Sequence, residues 1–289
     1  MDLNLTSEQI LLRDSAAKFI GAAGPKVARG FRERDPGFAP ERLRQAGELG
    51  WLGMLVPSSA DGLGLGLTEL ALVLQQAGRG LVCEPIGLAA ISAAALAQGH
   101  TPHPMLKRAM TGTALVVPAL QESAHGDDLF EPRTQAAEAD GSPRLTGTKS
   151  FVCADGADGF LVSAGGRDGP ALYYVARDAP GGSLSTTQTV DGRKLSTLNL
   201  KDAPADLVPS RQSSRSAVEA VADLALIALS AELLADAQVV NGDLLGFLHH
   251  AKQFGRQGDE RKIGDRLDCA ARRLPRWDEI GRRIFKVEG

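Results

Sequence analysis

The chain has 289 residues, of which 43% are hydrophobic and only 4% aromatic, and its formal net charge is −3. That length allows a large core divided among two or three compact units, and few aromatics beside abundant Ala and Leu predict closely packed helices filled by small aliphatic side chains. No block of like charge is long enough to hold nucleic acid, and the acidic amphipathic start MDLNLTSEQILLRD, with no apolar run near ~20 residues, predicts neither export nor membrane spanning.

Residues 1–112 read as a helical domain. Thr6 and Gln9 form a capping-box pattern ahead of Ile10, Leu11, Phe19 and Ile20 at helical spacing. A second helix follows Pro40, uses Leu43 and Leu49, and stops at Gly50, where a left-handed cap is easily accommodated. Further helices are predicted over Leu67 to Gln76, Ile86 to Gln98 and Met105 to Met110. The loop DGLGLGLTEL at 61–70 does not sit between a strand and a helix of a βαβ unit, so it reads as a flexible turn rather than a dinucleotide motif. Arg42 and Arg44 read as part of a solvated face.

From 113 to 211 the texture changes to short β-prone runs: ALVVPAL at 114–120, KSFVC at 149–153, FLVSA at 160–164, ALYYVA at 171–176 and KLSTLNL at 194–200. Turn signals at Asp140-Gly141, Asp168-Gly169 and Asp191-Gly192 separate them, which predicts a small antiparallel barrel or sandwich. From 212 to 289 the helical period returns, with Leu224, Ile227, Ala231 and Leu234 on one face and Asn241-Gly242 expected to kink or interrupt the helix. The fold class expected is therefore α+β and multidomain, helical, then β, then helical.

Cys83, Cys153 and Cys269 have no zinc-type spacing, and an odd count argues against a disulfide framework; reduced thiols in the cytoplasm fit. His249 and His250 are adjacent on a helix, about 100° apart, and do not converge on one ion. No metal site is expected.

Four segments in this order, GWLGMLVP at 50–57, DGLGLGLTEL at 61–70, GTKSFVCADGAD at 147–158 and AKQFGR at 251–256, resemble the acyl-CoA dehydrogenase family across about residues 1–268. The resemblance implies FAD held between a middle β domain and a C-terminal helical bundle, and an α,β-dehydrogenation of an acyl-CoA thioester in which a Glu removes the α-proton and FAD accepts the β-hydride. It implies Leu120, Gln121 and Glu122 as the first flavin strand and loop, with Gln121 where most members have Thr. It places Phe151 as the aromatic near the flavin and Cys153 where a hydroxyl residue meets the N5 edge; a thiol is a weaker donor there. The alternative for Phe151 and Cys153 is an ordinary buried strand. Gln253, Phe254 and Arg256 complete the implied cofactor set, with Ala251 where the family usually has an Arg.

The chain ends 33 residues after Arg256, before the region where most members keep the Glu, so the resemblance leaves the catalytic base unassigned. Asp223 is the candidate carboxylate near the alternative family position, Ala225, and an ordinary helix charge is its competing reading. The expectation is a shortened subunit of a homo- or hetero-oligomeric, FAD-dependent acyl-CoA dehydrogenase of lipid metabolism, its base supplied by a full-length partner chain. The alternative is a non-catalytic relative serving as a structural or regulatory partner. A third reading is an altered frame near residue 256, because GDERKIGDRLDCAARRLPRW fits neither an apolar stripe nor the family pattern.

Overall fold

The computed structural model describes residues 4–21, 24–122, 129, 131–139, 141–167, 169–190 and 192–255, with backbone alone from 236 to 255. A helical N-terminal region leads into a sheet-rich middle and then a long C-terminal helix. The helices are α1 (Ser7–Ile20), α2 (Pro25–Phe31), α3 (Pro40–Glu48), α4 (Leu67–Arg79), α5 (Ile86–Leu96), α6 (Leu106–Met110) and, beyond the sheet, α7 (Ser214–Gly255).

The expected capping box opens α1. Gln9 N donates to Thr6 Oγ1 at 3.2 Å, Thr6 N donates to Gln9 Oε1 at 3.0 Å, and two of the orphan amides of the first turn are thereby satisfied. Gln9 Nε2 also donates to Glu69 Oε1 at 2.7 Å, tying α1 to the start of α4. The buried face of α1 differs from the expected stripe: Ala16 and Ile20 are buried and Leu12 and Phe19 pack against the core, whereas Ile10 and Leu11 are exposed. Side chains four apart stack on one helix face, and Leu12 with Ala16 and Ile20 is the row that meets the core.

Gly50 adopts φ 79°, the left-handed conformation anticipated after α3. Trp51, Leu52, Met54 and Val56 behind it are fully buried. The glycine-rich segment is no free turn. Leu63 N donates to Gly53 O at 3.1 Å, Leu65 N to Met54 O at 2.9 Å and Gly64 N to Val56 O at 2.8 Å, so the segment folds back onto 53–56. A Cβ at Gly62 would lie 2.1 Å from Val56 O, an approach only glycine permits. Arg42 is likewise not merely solvated: its guanidinium lies 4.6 Å over the Phe19 ring and 3.5 Å from the buried carboxylate of Glu84.

The strands are β1 (Val116–Ala119), β2 (Gln135–Ala139), β3 (Ser142–Val152), β4 (Gly159–Gly166), β5 (Gly169–Ala176), β6 (Gly182–Gln188), β7 (Lys194–Pro204) and β8 (Asp206–Leu207). They run in the order β6-β7-β3-β2-β4-β5-β8, with β1 beside β4. Most ladders are antiparallel, as expected, but β1 and β2 both pair with β4 in parallel, so the sheet is mixed. The turn signals fall between β2 and β3, β4 and β5, and β6 and β7. β4 is buried on both faces from Gly159 to Ala164 and shows the continuous apolar run of a central strand. α2, β2 and β6 go beyond the elements expected: QAAEA and GSLSTTQ have weak β preference and become strands through ladders with β3 and β7.

Contacts group Met1–Asp236 into one compact unit, and Ala237 begins a second. On α7 the buried residues are Ala217, Val218, Val221, Ala222, Ala228, Ala231 and Ala235, while Leu226, Ile227, Leu229, Leu233 and Leu234 are exposed. The predicted stripe is therefore corrected: Ala231 faces inward, but Ile227 and Leu234 do not. A close approach explains the rotation, because a Cβ at Gly78 of α4 would lie 2.2 Å from Glu232 O, and only small residues fit such a contact. Within the second unit the backbone is helical to Gly255 and is not interrupted at Asn241-Gly242. A single glycine lowers helix stability by only ~1 kcal/mol and removes no backbone donor.

Candidate functional site

The register between β3 and β7 shifts between Lys149 and Val152, and Phe151 sits in that irregularity with φ 55°. A left-handed conformation costs a non-glycine residue about 1–2 kcal/mol, and the neighbouring contacts must maintain it. The bulge breaks the alternation of the strand. Lys149 and Val152 point into the core, whereas Phe151 keeps 48% of its surface exposed and Cys153 is exposed beyond it. The reading of these two residues as buried core is thus ruled out.

Cys153 presents surface to solvent while protein atoms crowd its thiol. That desolvation raises the thiol above the ordinary cysteine value; Arg193, before β7, lowers it and Glu232 of α7 raises it further. Charges from the sheet and from α7 therefore bear on one sulfur. At neutral pH the group is a protonated, weak donor.

Behind the bulge lies a buried polar cluster that residue types alone did not reveal. The Lys149 side chain is 0% exposed, and its Nζ donates to Glu122 Oε1 at 2.7 Å, Ser163 Oγ at 3.0 Å and Leu120 O at 3.2 Å. Glu122 also accepts from Arg133 N at 2.7 Å and Thr134 N at 2.9 Å. Burial alone would raise the Glu122 carboxyl; the hydrogen bonds from Lys149 and Thr134 and the Lys149 charge outweigh it and hold the group below its usual range. Ser150 completes the attachment: its N donates to Gln121 O at 2.7 Å and its Oγ to Glu122 O at 3.1 Å.

Leu120, Gln121, Glu122, Phe151 and Cys153 are thus brought to one end of β3, Leu120 and Gln121 through their carbonyls and Glu122 through its carboxylate. Asp223 is exposed on α7. It precedes Glu232 by nine residues, about 180° round the helix, so it does not share the side that carries Glu232. Glu232 is the carboxylate that sequence reasoning missed; its nine-residue offset from Asp223 signals the opposite face only once the packed face is known. Gln253 and Phe254 lie on the described helical backbone, and Arg256 lies outside the described residues. Among the described residues no His, Cys, Asp and Glu group could hold a metal ion, and no helix is long and apolar enough to cross a membrane.

The end of β3 thus presents an exposed aromatic beside a crowded thiol that charges on the segment before β7 and on α7 reach. Comparison with known proteins shows what the chain is similar to. Residues 6–101 match the family model of the acyl-CoA dehydrogenase N-terminal domain. Benzylmalonyl-CoA dehydrogenase of Aromatoleum aromaticum is 30% identical over 190 residues, covering 63% of this chain and 50% of that protein. The chain thus spans about half the length of that curated relative. A variant of the Tcur3481-Tcur3483 steroid ACAD has the same fold at TM-score 0.73 and 29% identity, over 88% of this chain and 68% of that one. A glutaryl-CoA dehydrogenase of Mycobacterium smegmatis, solved in complex with FADH2, shares the fold at TM-score 0.70 and 20% identity, over 80% and 62% of the two chains. Residues 6–101 are thus similar to the acyl-CoA dehydrogenase N-terminal domain, and the helical region, sheet and long helix follow one another in the order of the acyl-CoA dehydrogenase fold.

Proposed function

We propose that this chain is a flavoprotein subunit that takes part in α,β-dehydrogenation of an acyl-CoA thioester, with FAD as hydride acceptor and a second chain completing the site. The observation that carries the reading is the Phe151–Cys153 bulge, where a left-handed, exposed aromatic stands beside a crowded thiol that the charge of Glu232 on α7 reaches. The relative solved with FADH2 and the two-component name of the steroid relative support it. In this reading Phe151 packs against the isoalloxazine ring, Cys153 lies at its edge as a weak donor, and the backbone of Leu120 and Gln121 borders the pyrimidine side. When bound, FAD supplies the two-electron acceptor for the hydride. Gln253, Phe254 and Arg256 remain proposed cofactor contacts.

The α-proton needs a carboxylate held beside the thioester. Of the carboxylates nearest the bulge, Glu122 is committed to Lys149 and Asp155 to Lys194 and Gly37 N, and Asp223 is on the side of α7 away from Glu232. The proposal therefore takes the base from a partner chain. A second reading keeps it in this chain, as Glu232, because the charge of that residue reaches Cys153.

Co-expression with a full-length acyl-CoA dehydrogenase subunit, followed by visible spectroscopy and an acyl-CoA turnover assay with an artificial electron acceptor, tests both readings. The expected result is a yellow complex in which Glu232→Gln retains turnover. Loss of turnover in that variant with flavin retained moves the base to Glu232. A colourless complex, or a colourless chain under every condition, refutes the flavin reading and leaves the non-catalytic partner.

A further inference from the structure

Among the described residues Lys149 is the largest fully buried charged side chain, and the proposed reaction gives it no chemical role. Burying an ammonium is expensive unless its donors and charge are all answered, and here they are: three acceptors lie within 3.2 Å, one of them a carboxylate. The acceptors come from different parts of the chain. Leu120 O and Glu122 lie on the segment after β1, and Ser163 lies on β4. Glu122 in turn fastens Arg133 and Thr134 just before β2. Ser150, next in sequence, ties the same 120–122 segment through Gln121 O and Glu122 O. The residue after it is Phe151, at φ 55°.

We infer that Lys149 is a positioning residue: with Glu122 it clamps the 120–122 segment to the root of the β3 bulge and so holds Phe151 and Cys153 in the projecting arrangement that receives the cofactor. It acts from behind the bulge and touches no reacting atom. The left-handed Phe151 explains why a clamp is needed, since an unsupported strand would relax to ordinary extended backbone and withdraw the aromatic. Glu122, which the family resemblance places among cofactor contacts, acts in this scheme through its neighbours. A Lys–Glu pair also outperforms an apolar pair for this task, because its directional hydrogen bonds fix the relative position of three segments where apolar contacts permit sliding.

The inference rests on the flavin reading only for the identity of the ligand, and its test is divided accordingly. The full chain is compared with Lys149→Met and with the double variant Lys149→Met/Glu122→Gln, which removes both charges and leaves an amide oxygen for one of the Arg133 and Thr134 amides, which Glu122 holds on separate oxygens. Hydrogen exchange read by mass spectrometry is expected to rise at least tenfold in peptides covering 118–122 and 149–154 of the double variant. Peptides from α1 and α4 are expected to be unchanged. FAD titrated into each protein and followed by flavin fluorescence is expected to bind at least tenfold more weakly to the double variant. Unchanged exchange at the bulge, an equal rise in every peptide, or local loosening with undiminished FAD affinity would each overturn the inference. A wild-type chain that binds no FAD either alone or with the co-expressed partner subunit sinks the flavin reading, while the exchange comparison still decides whether the clamp exists.

Discussion

Substituting Gly78 by Ala adds one methyl group where α4 meets the backbone of α7. Its Cβ would stand 2.2 Å from Glu232 O, 3.1 Å from Glu232 C and 3.2 Å from the Ala235 Cβ. The first two obstacles are backbone and cannot rotate away. Ordinary contact begins at 3.4 Å, so α4 and α7 would have to part by about 1 Å, and a gap of that size forfeits roughly a quarter to a half of each dispersion contact along the seam. Overpacking of this kind costs about 1–3 kcal/mol, against which a Gly-to-Ala change inside a helix recovers up to about 1 kcal/mol. The net expectation is a loss of about 1–2 kcal/mol, or a fall in Tm of about 2–8 °C for a unit of this size. Thermal unfolding by far-UV circular dichroism measures it. Gly30→Ala in α2 is the control, because its Cβ would meet nothing within 4 Å, and it should be neutral or slightly stabilising. A Gly78→Ala protein as stable as wild type, with the control behaving as stated, would refute the α4–α7 packing described above.

Two further outcomes follow from charge. In a background lacking Cys83 and Cys269, Glu232→Gln should lower the Cys153 thiol pKa and speed alkylation at fixed pH, and Arg193→Gln should do the reverse; iodoacetamide rate–pH profiles that do not move in these directions would remove Glu232 and Arg193 from the site. Glu122 has a folded-state pKa below its unfolded value, so its stabilisation is fully present above the unfolded carboxylate range and is lost as pH falls through the lowered folded value. Urea denaturation across that acid window should show a smaller fall for Glu122→Gln than for wild type, and parallel curves would contradict the assignment.

Local signals were the legible ones. Thr6 and Gln9 announce the start of α1 because both partners of the box lie within one turn, and FLVSA and ALYYVA announce β4 and β5 because buried central strands are apolar throughout. β2 and β6 were not legible, since Ala, Gln and Ser carry no strand signal and the ladder that recruits them is non-local. The site divides in the same way. Phe151 and Cys153 stand out in GTKSFVCADGAD, but the burial of Lys149 depends on Glu122, 27 positions away, and no periodicity shows that pairing. Arg42 escaped for the same reason: its partners Phe19 and Glu84 come from distant segments. The orientation of α7 was misjudged because alanines and leucines are both hydrophobic, and only the backbone approach of Gly78 decides which row turns inward.

That orientation restricts what substitution can do to α7. Its hidden row of alanines adheres by proximity rather than by bulk, so Ala228, Ala231 and Ala235 tolerate glycine or serine at most, and any attempt to enlarge them wedges the helix off its bed. The outward leucines carry no such constraint from their own unit, and polar replacements there leave the fold intact. Engineering for solubility therefore has its freedom on the leucine ridge.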